Sequence, residues 1–122
     1  MTLFDSTQLA LEAAMRGSAL RQSLLTSNLA NVNTPDYQRK DVDFHAALRA
    51  AQRTDQPLET LSFQPTSSGA SPTGQRVVRP DGSGVDADQE AAALAENGLE
   101  YQALVQVAGA RNAILQTAMG VR

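Results

Sequence analysis

Residues 27–44 read SNLANVNTPDYQRKDVDF. The stretch begins as the last turns of an apolar-periodic helix, breaks on Asn33-Thr34-Pro35 and leaves as a charged, extended segment. The ring of a proline pushes the preceding residue out of the helical region, so Thr34 is expected to be extended. Asn31 or Asn33 can take the left-handed conformation that often closes a helix. Pro35-Asp36 fits the centre of a type I turn. Beyond it, alternation puts Gln38, Lys40, Val42 and Phe44 on one side and Tyr37, Arg39, Asp41, Asp43 and His45 on the other.

Upstream, the apolar spacing predicts one long helix, capped by Asp5 or Ser6. Leu11, Met15, Leu25, Leu29 and Val32 share a stripe, with Leu9, Ala13, Leu20 and Leu24 on a neighbouring one. Its polar face carries Gln8, Ser18, Gln22, Ser23, Thr26 and Ser27 and few charges. Such a face suits packing by other chains better than open solvent.

Downstream, residues 46–53 extend as a short Ala-rich helix. Residues 54–84 hold the remaining prolines and many Gly, Ser and Thr, too little apolar matter to repay ordering. Leu58–Phe63 and Arg76–Arg79 are weak candidates for paired strands. A last helix starts at Asp86, with Gln89 placed to return the capping bond. It carries a heptad repeat of Leu94, Tyr101, Ala108 and Leu115, accompanied by Leu104, Val105, Ala118 and Met119. At 1.5 Å per residue the two terminal helices would span about 40 and about 50 Å. Gly17, Gly98 and Gly109 weaken them, a cost tolerable where another helix approaches closely.

The expected architecture is therefore mainly α: two long terminal helices packing as a coiled-coil-like pair around an extended, partly disordered centre. The expected divisions are 1–34, 35–53, 54–84 and 85–122.

The totals narrow the function. Of 122 residues, 42% are apolar and 4% aromatic, but 20 of the apolar ones are alanines. Alanine buries little area, so a self-sufficient core is doubtful and neighbouring chains are expected to supply cover. The net charge of −3 argues against nucleic acid. With no Cys and one His, nucleophile–base pairs and thiolate sites are nearly exhausted, and neither an enzyme nor a cofactor is expected. Asp41, Asp43 and His45 could share a strand face as metal ligands, although solvated side chains are the commoner outcome. Residues 81–88, DGSGVDAD, lack the ligand spacing of a calcium loop and read better as a turn and helix cap. The N-terminus lacks the features of a cleavable signal peptide.

The run Ser27–Tyr37, with Asn28, Asn31, Asn33, Thr34, Pro35 and Tyr37, closely resembles the N-terminal signature of the bacterial flagellar rod and hook protein family. The uninterrupted continuation into Gln38–Phe44 most resembles the proximal rod branch, and LAENGLEYQAL at 94–104 resembles its C-terminal helix. The sister protein FlgC tends to carry an insertion there, and the hook and distal-rod members carry larger inserted domains. The resemblance implies a structural subunit that leaves the cytoplasm uncleaved through the flagellar type III export gate and polymerises in the periplasmic rod. It implies as partners the subunit itself, the rod proteins FlgC and FlgF, the adaptor FliE and the membrane-supramembrane ring. The motif residues would set the bend. Leu11, Met15, Leu25, Leu29, Leu94, Tyr101, Leu104, Val105 and Leu115 would carry helix packing and assembly. The rivals are another rod protein such as FlgC, and a cytoplasmic coiled-coil adaptor or export chaperone, which an export assay would separate.

Overall fold

The computed structural model describes residues 5–67 and 84–120. Helix α1 spans Ser6–Ala30 and helix α3 spans Ala87–Ala118; they pack against each other along their lengths. Between them come strand β1 (Lys40–Asp41), helix α2 (Phe44–Arg53), a 3-10 turn (Leu58–Thr60) and strand β2 (Thr66–Ser67). The fold is mainly helical, with the long terminal pair that the sequence predicts.

Both long helices begin on an aspartate. The Asp5 carboxylate accepts from the Gln8 amide at 2.8 Å, and Asp86 accepts from the amides of Asp88 and Gln89. Each satisfies amides that have no partner within the first helical turn. The reciprocal bond expected from Gln89 is absent, since its Oε1 has no hydrogen-bond partner. The pair is antiparallel: Asp5 meets Arg111, Ser18 meets Asn97 and Asn28 meets Glu90.

The exit from α1 differs from expectation in its details. The helix closes at Ala30, and its cap Asn31 has φ −101°, outside the left-handed region. The left-handed residue is Asp36, at φ 60°, and the Tyr37 amide donates to the Thr34 carbonyl at 3.3 Å. A positive φ at the third position is the mark of a type II turn, not type I. A preceding turn links the Thr34 amide to the Asn31 carbonyl, and the Thr34 hydroxyl donates to Asn31 Oδ1.

The extended segment is also shorter than the alternation suggested. Only Lys40 and Asp41 form a strand, pairing antiparallel with Ser67 and Thr66. Asp43 already caps α2, its carboxylate accepting from the Ala46 amide at 3.0 Å. Arg39, set by the alternation on the side opposite Val42 and Phe44, is buried as they are. The period of two fails because a cap and a helix start interrupt it. Leu58–Thr60 is a turn rather than a strand, and residues 76–79 lie outside the described residues, as do 68–83 as a whole.

Phe44, at the start of α2, seats on Gly17 of α1. A Cβ at Gly17 would stand 2.5 Å from Phe44 Cβ, so only glycine admits this approach. Gly98 and Gly109 have no such neighbour among the described residues. Phe44 is fully buried and, with the buried Ala13, Leu25, Val42, Ala51, Leu61, Val85 and Ala93, makes up the apolar core. Arg16 fastens the 3-10 turn, its Nη2 donating to the Leu58 carbonyl at 2.7 Å and its Nη1 to that of Leu61.

Candidate functional site

Asn28, on the last turn of α1, is fully buried and faces the chain as it returns after the turn. Its Nδ2 donates to the Lys40 carbonyl at 2.7 Å, and its Oδ1 accepts from the Lys40 amide at 2.9 Å. The carboxamide thus copies a strand neighbour, satisfying both backbone groups of one residue. The Tyr37 hydroxyl donates to the same Oδ1 at 3.4 Å and lies equally near the Ser27 hydroxyl. Asn31 folds back to donate to the Ser27 carbonyl at 2.8 Å. Asn33 and Pro35 are exposed at the turn. The motif residues are therefore brought together as one bend, with Asn28 and Tyr37 inside and Asn33, Thr34 and Pro35 outside.

Behind the bend runs a chain of alternating charges. Glu90 in the first turns of α3 receives Arg39 Nε at 2.6 Å, and both side chains are buried. Arg39 also reaches Asp41 at 3.2 Å, and Asp41 is held from its other side by Arg21 of α1 at 3.0 Å. Buried acids and bases are stable only when paired and hydrogen-bonded, and here each finds an opposite charge. Burial pushes the Arg39 guanidinium toward neutrality, but Glu90 and Asp41 outweigh it and its pKa is raised. Burial likewise pushes the Asp41 carboxyl up. The Arg21 guanidinium, the Val42 amide and Arg39 outweigh burial and hold it below the usual 3.8.

Asp41, Asp43 and His45, weighed as metal ligands, are engaged separately. Asp41 serves this ion chain, Asp43 caps α2, and His45 Nε2 lies 2.7 Å from Glu100 on α3. No group of three or more metal-binding side chains occurs among the described residues.

The residues expected on the helix-packing faces divide. Leu25 is fully buried; Leu11, Met15, Leu29, Leu94 and Leu104 are half-buried; Tyr101, Val105 and Leu115 are exposed. The buried line on α3 runs through Glu90, Ala93 and Asn97 and continues over the half-buried Leu104, Ala108 and Arg111. It is rotated from the Leu94–Tyr101–Leu115 repeat and studded with polar groups. Asn97 is fully buried, donating to the Ser18 carbonyl at 2.9 Å and to Gln22 Oε1 at 2.8 Å. Part of the neutral polar face of α1 thus turns toward α3 rather than toward other chains. Sequence reasoning missed Arg39, Glu90 and Asn97. The signal available was the heptad spacing of Glu90, Asn97 and Arg111.

The large apolar side chains left exposed among the described residues are Leu99, Tyr101, Val105, Val107, Ile114 and Leu115 on α3 and Met119 at its C-cap. Leu99, Val107 and Ile114 form an outward line with Ala103, Ala110 and Thr117, and no charge interrupts it from 99 to 117. Leu99 and Ile114 are 69% and 68% exposed. From 98 to 118 no residue is fully buried. No helix among the described residues is long and apolar enough to cross a membrane.

No family model matches the chain. Among curated proteins, it is 34% identical over 112 residues to the flagellar basal body rod protein FlgB of Bacillus subtilis, with 87% of each chain covered. It is 32% identical to FlgB of Salmonella typhimurium over 82% of this chain and 83% of the relative. For FlgB of Escherichia coli the identity is 32%, with 75% and 76% covered. The bend motif, the long antiparallel helical pair and these similarities over most of the chain agree, and the chain belongs to the FlgB family of flagellar basal body rod proteins.

Proposed function

We propose that the chain is a structural subunit of the proximal rod, exported through the flagellar type III gate without a cleaved signal peptide and self-assembling through its terminal helices. The observation that carries this reading is the outward apolar line of α3. A monomer rarely leaves so continuous an uncharged stripe in water unless another surface covers it. Its partners are further copies of itself, the rod proteins FlgC and FlgF, the adaptor FliE and the membrane-supramembrane ring. The role is structural, not catalytic, and the location is the periplasmic rod.

Folding is completed on assembly in this reading. The chain has fully buried residues such as Phe44 and Leu25 but none along the second half of α3. Neighbouring subunits would supply the missing cover, and ordering would accompany burial. In the host, deleting the gene is expected to abolish motility and basal-body rods, and the intact chain to restore both. The full-length, unprocessed chain should then appear in purified basal bodies. Retention in the cytoplasm of a motile strain would overturn the reading.

A further inference from the structure

We infer that the buried polar side chains between the long helices form a positional code that selects one alignment of α3 on α1. The apolar repeat cannot make that choice. Leu94, Tyr101, Ala108 and Leu115 recur every heptad, so sliding α3 by seven residues sets one apolar side chain where another stood. The polar positions are different from one another. Along the facing line of α3 the heptad positions read Glu90, Asn97, Leu104 and Arg111. Each polar one meets a chemically distinct partner: Glu90 meets Arg39 and Asn28, Asn97 meets Ser18 and Gln22, and Arg111 meets Asp5 at 2.9 Å.

A slip in either direction breaks every match. Moved one way, Asn97 replaces Glu90 beside buried Arg39, Leu104 faces the Ser18 carbonyl and Gln22, and Ala118 faces Asp5. Moved the other way, the Glu90 carboxylate meets Ser18 O and Gln22 Oε1, with the Ser18 hydroxyl as a neutral donor in place of the Arg39 guanidinium. Buried charges without partners are costly, so misaligned pairings are excluded by what they leave unpaired. A single buried polar position is known to fix register in helical pairs. Here two buried ones, Glu90 and Asn97, act in series, and the partly exposed Arg111–Asp5 pair falls in step with them. Arg39 brings the bend into the same decision, because it belongs to the returning segment rather than to α1. The bend and the alignment are therefore set together.

The natural chain has no cysteine, so introduced pairs report alignment without background. Met15 and Tyr101 line one hollow between α1 and α3. Met15→Cys with Tyr101→Cys reads the native alignment, and Met15→Cys with Ala108→Cys reads a one-heptad slip. Oxidative crosslinking in intact cells producing the full chain should give the first pair alone.

In one variant the code moves one heptad along, by Glu90→Ala, Asn97→Glu, Leu104→Asn, Arg111→Leu and Ala118→Arg. The slipped pair should then exceed the native pair by about tenfold. In a second variant, Arg39→Met with Glu90→Leu erases the buried ions at similar volume, and both pairs should form in comparable yield. Persistence of the native crosslink alone in the recoded chain would overturn the inference. So would proteolytic loss of the erased variant, which would mean that the ions supply stability rather than alignment. These crosslinks read alignment within one chain, so they stand apart from rod assembly, which motility reads.

Discussion

At Asn28 one side chain takes the place of a strand neighbour. Its amide and carbonyl pair with both backbone groups of Lys40, so the returning segment is tied to the end of α1. Asn28→Ala would leave the Lys40 amide and carbonyl and the Tyr37 hydroxyl short of partners, at a cost of about 1–3 kcal/mol. Urea unfolding of the purified chain should show that loss, and Asn28→Asp should be worse, because it sets a second carboxylate beside Glu90. Asp41 gives a pH test. Folding holds its carboxyl below the usual 3.8, so its stabilising contribution is present above that value and lost as pH falls through the folded value. The urea midpoint of the natural chain should therefore drop below about pH 4 more steeply than that of Asp41→Asn.

At the scale of elements, α2 is seated by a single missing Cβ. Gly17→Ala puts a methyl 2.5 Å from Phe44 Cβ and forces α2 outward. A loss of about 1–3 kcal/mol is expected, with faster hydrogen exchange confined to α2 and its neighbours. Gly98→Ala and Gly109→Ala meet open space among the described residues, so any loss they cause should appear in assembly, where neighbours approach.

The same elements show what the sequence could and could not tell. Both long helices, their aspartate caps and the break before Pro35 were legible, because caps, periodicity and proline act locally. The rotation of the α3 seam was not. Hydrophobicity marks Tyr101 and Leu115 as inward, yet in the single chain they are exposed, while Glu90 and Asn97 are buried. A buried glutamate reads as a solvated one until its arginine is placed, and Arg39 sits in a segment whose alternation was cut short by the Asp43 cap. The left-handed residue was misassigned for a similar reason: Asp36 and the two asparagines all tolerate that conformation, and only the closed turn distinguishes them.

At the scale of the whole molecule, order is uneven. Phe44, Leu25, Val85 and the Arg39–Glu90 pair are buried, whereas α3 beyond Asn97 offers its apolar line outward. Hydrogen exchange on the purified chain at micromolar concentration should show protection near Phe44 and rapid exchange over residues 104–118. Uniform strong protection of both helices would show that neighbours are not needed for folding. Leu99→Glu with Ile114→Glu should abolish swarming and basal-body incorporation while leaving the urea midpoint of the central unit within about 0.5 kcal/mol of the natural chain.

The short β1–β2 pair has a consequence for how the molecule can lengthen. Ser67 is paired to Lys40, and the Gly84 amide donates to the Tyr37 carbonyl at 3.1 Å. Ser67 and Gly84, the described residues on either side of 68–83, are therefore both tied to one short segment beside the bend. In sequence, the span 68–83 starts and ends at these two anchors. Lengthening it alters neither anchor, and the entropy of closing a loop grows only as the logarithm of its length. An epitope or small domain spliced into this span should leave the helical pair, its alignment and its outward line unchanged.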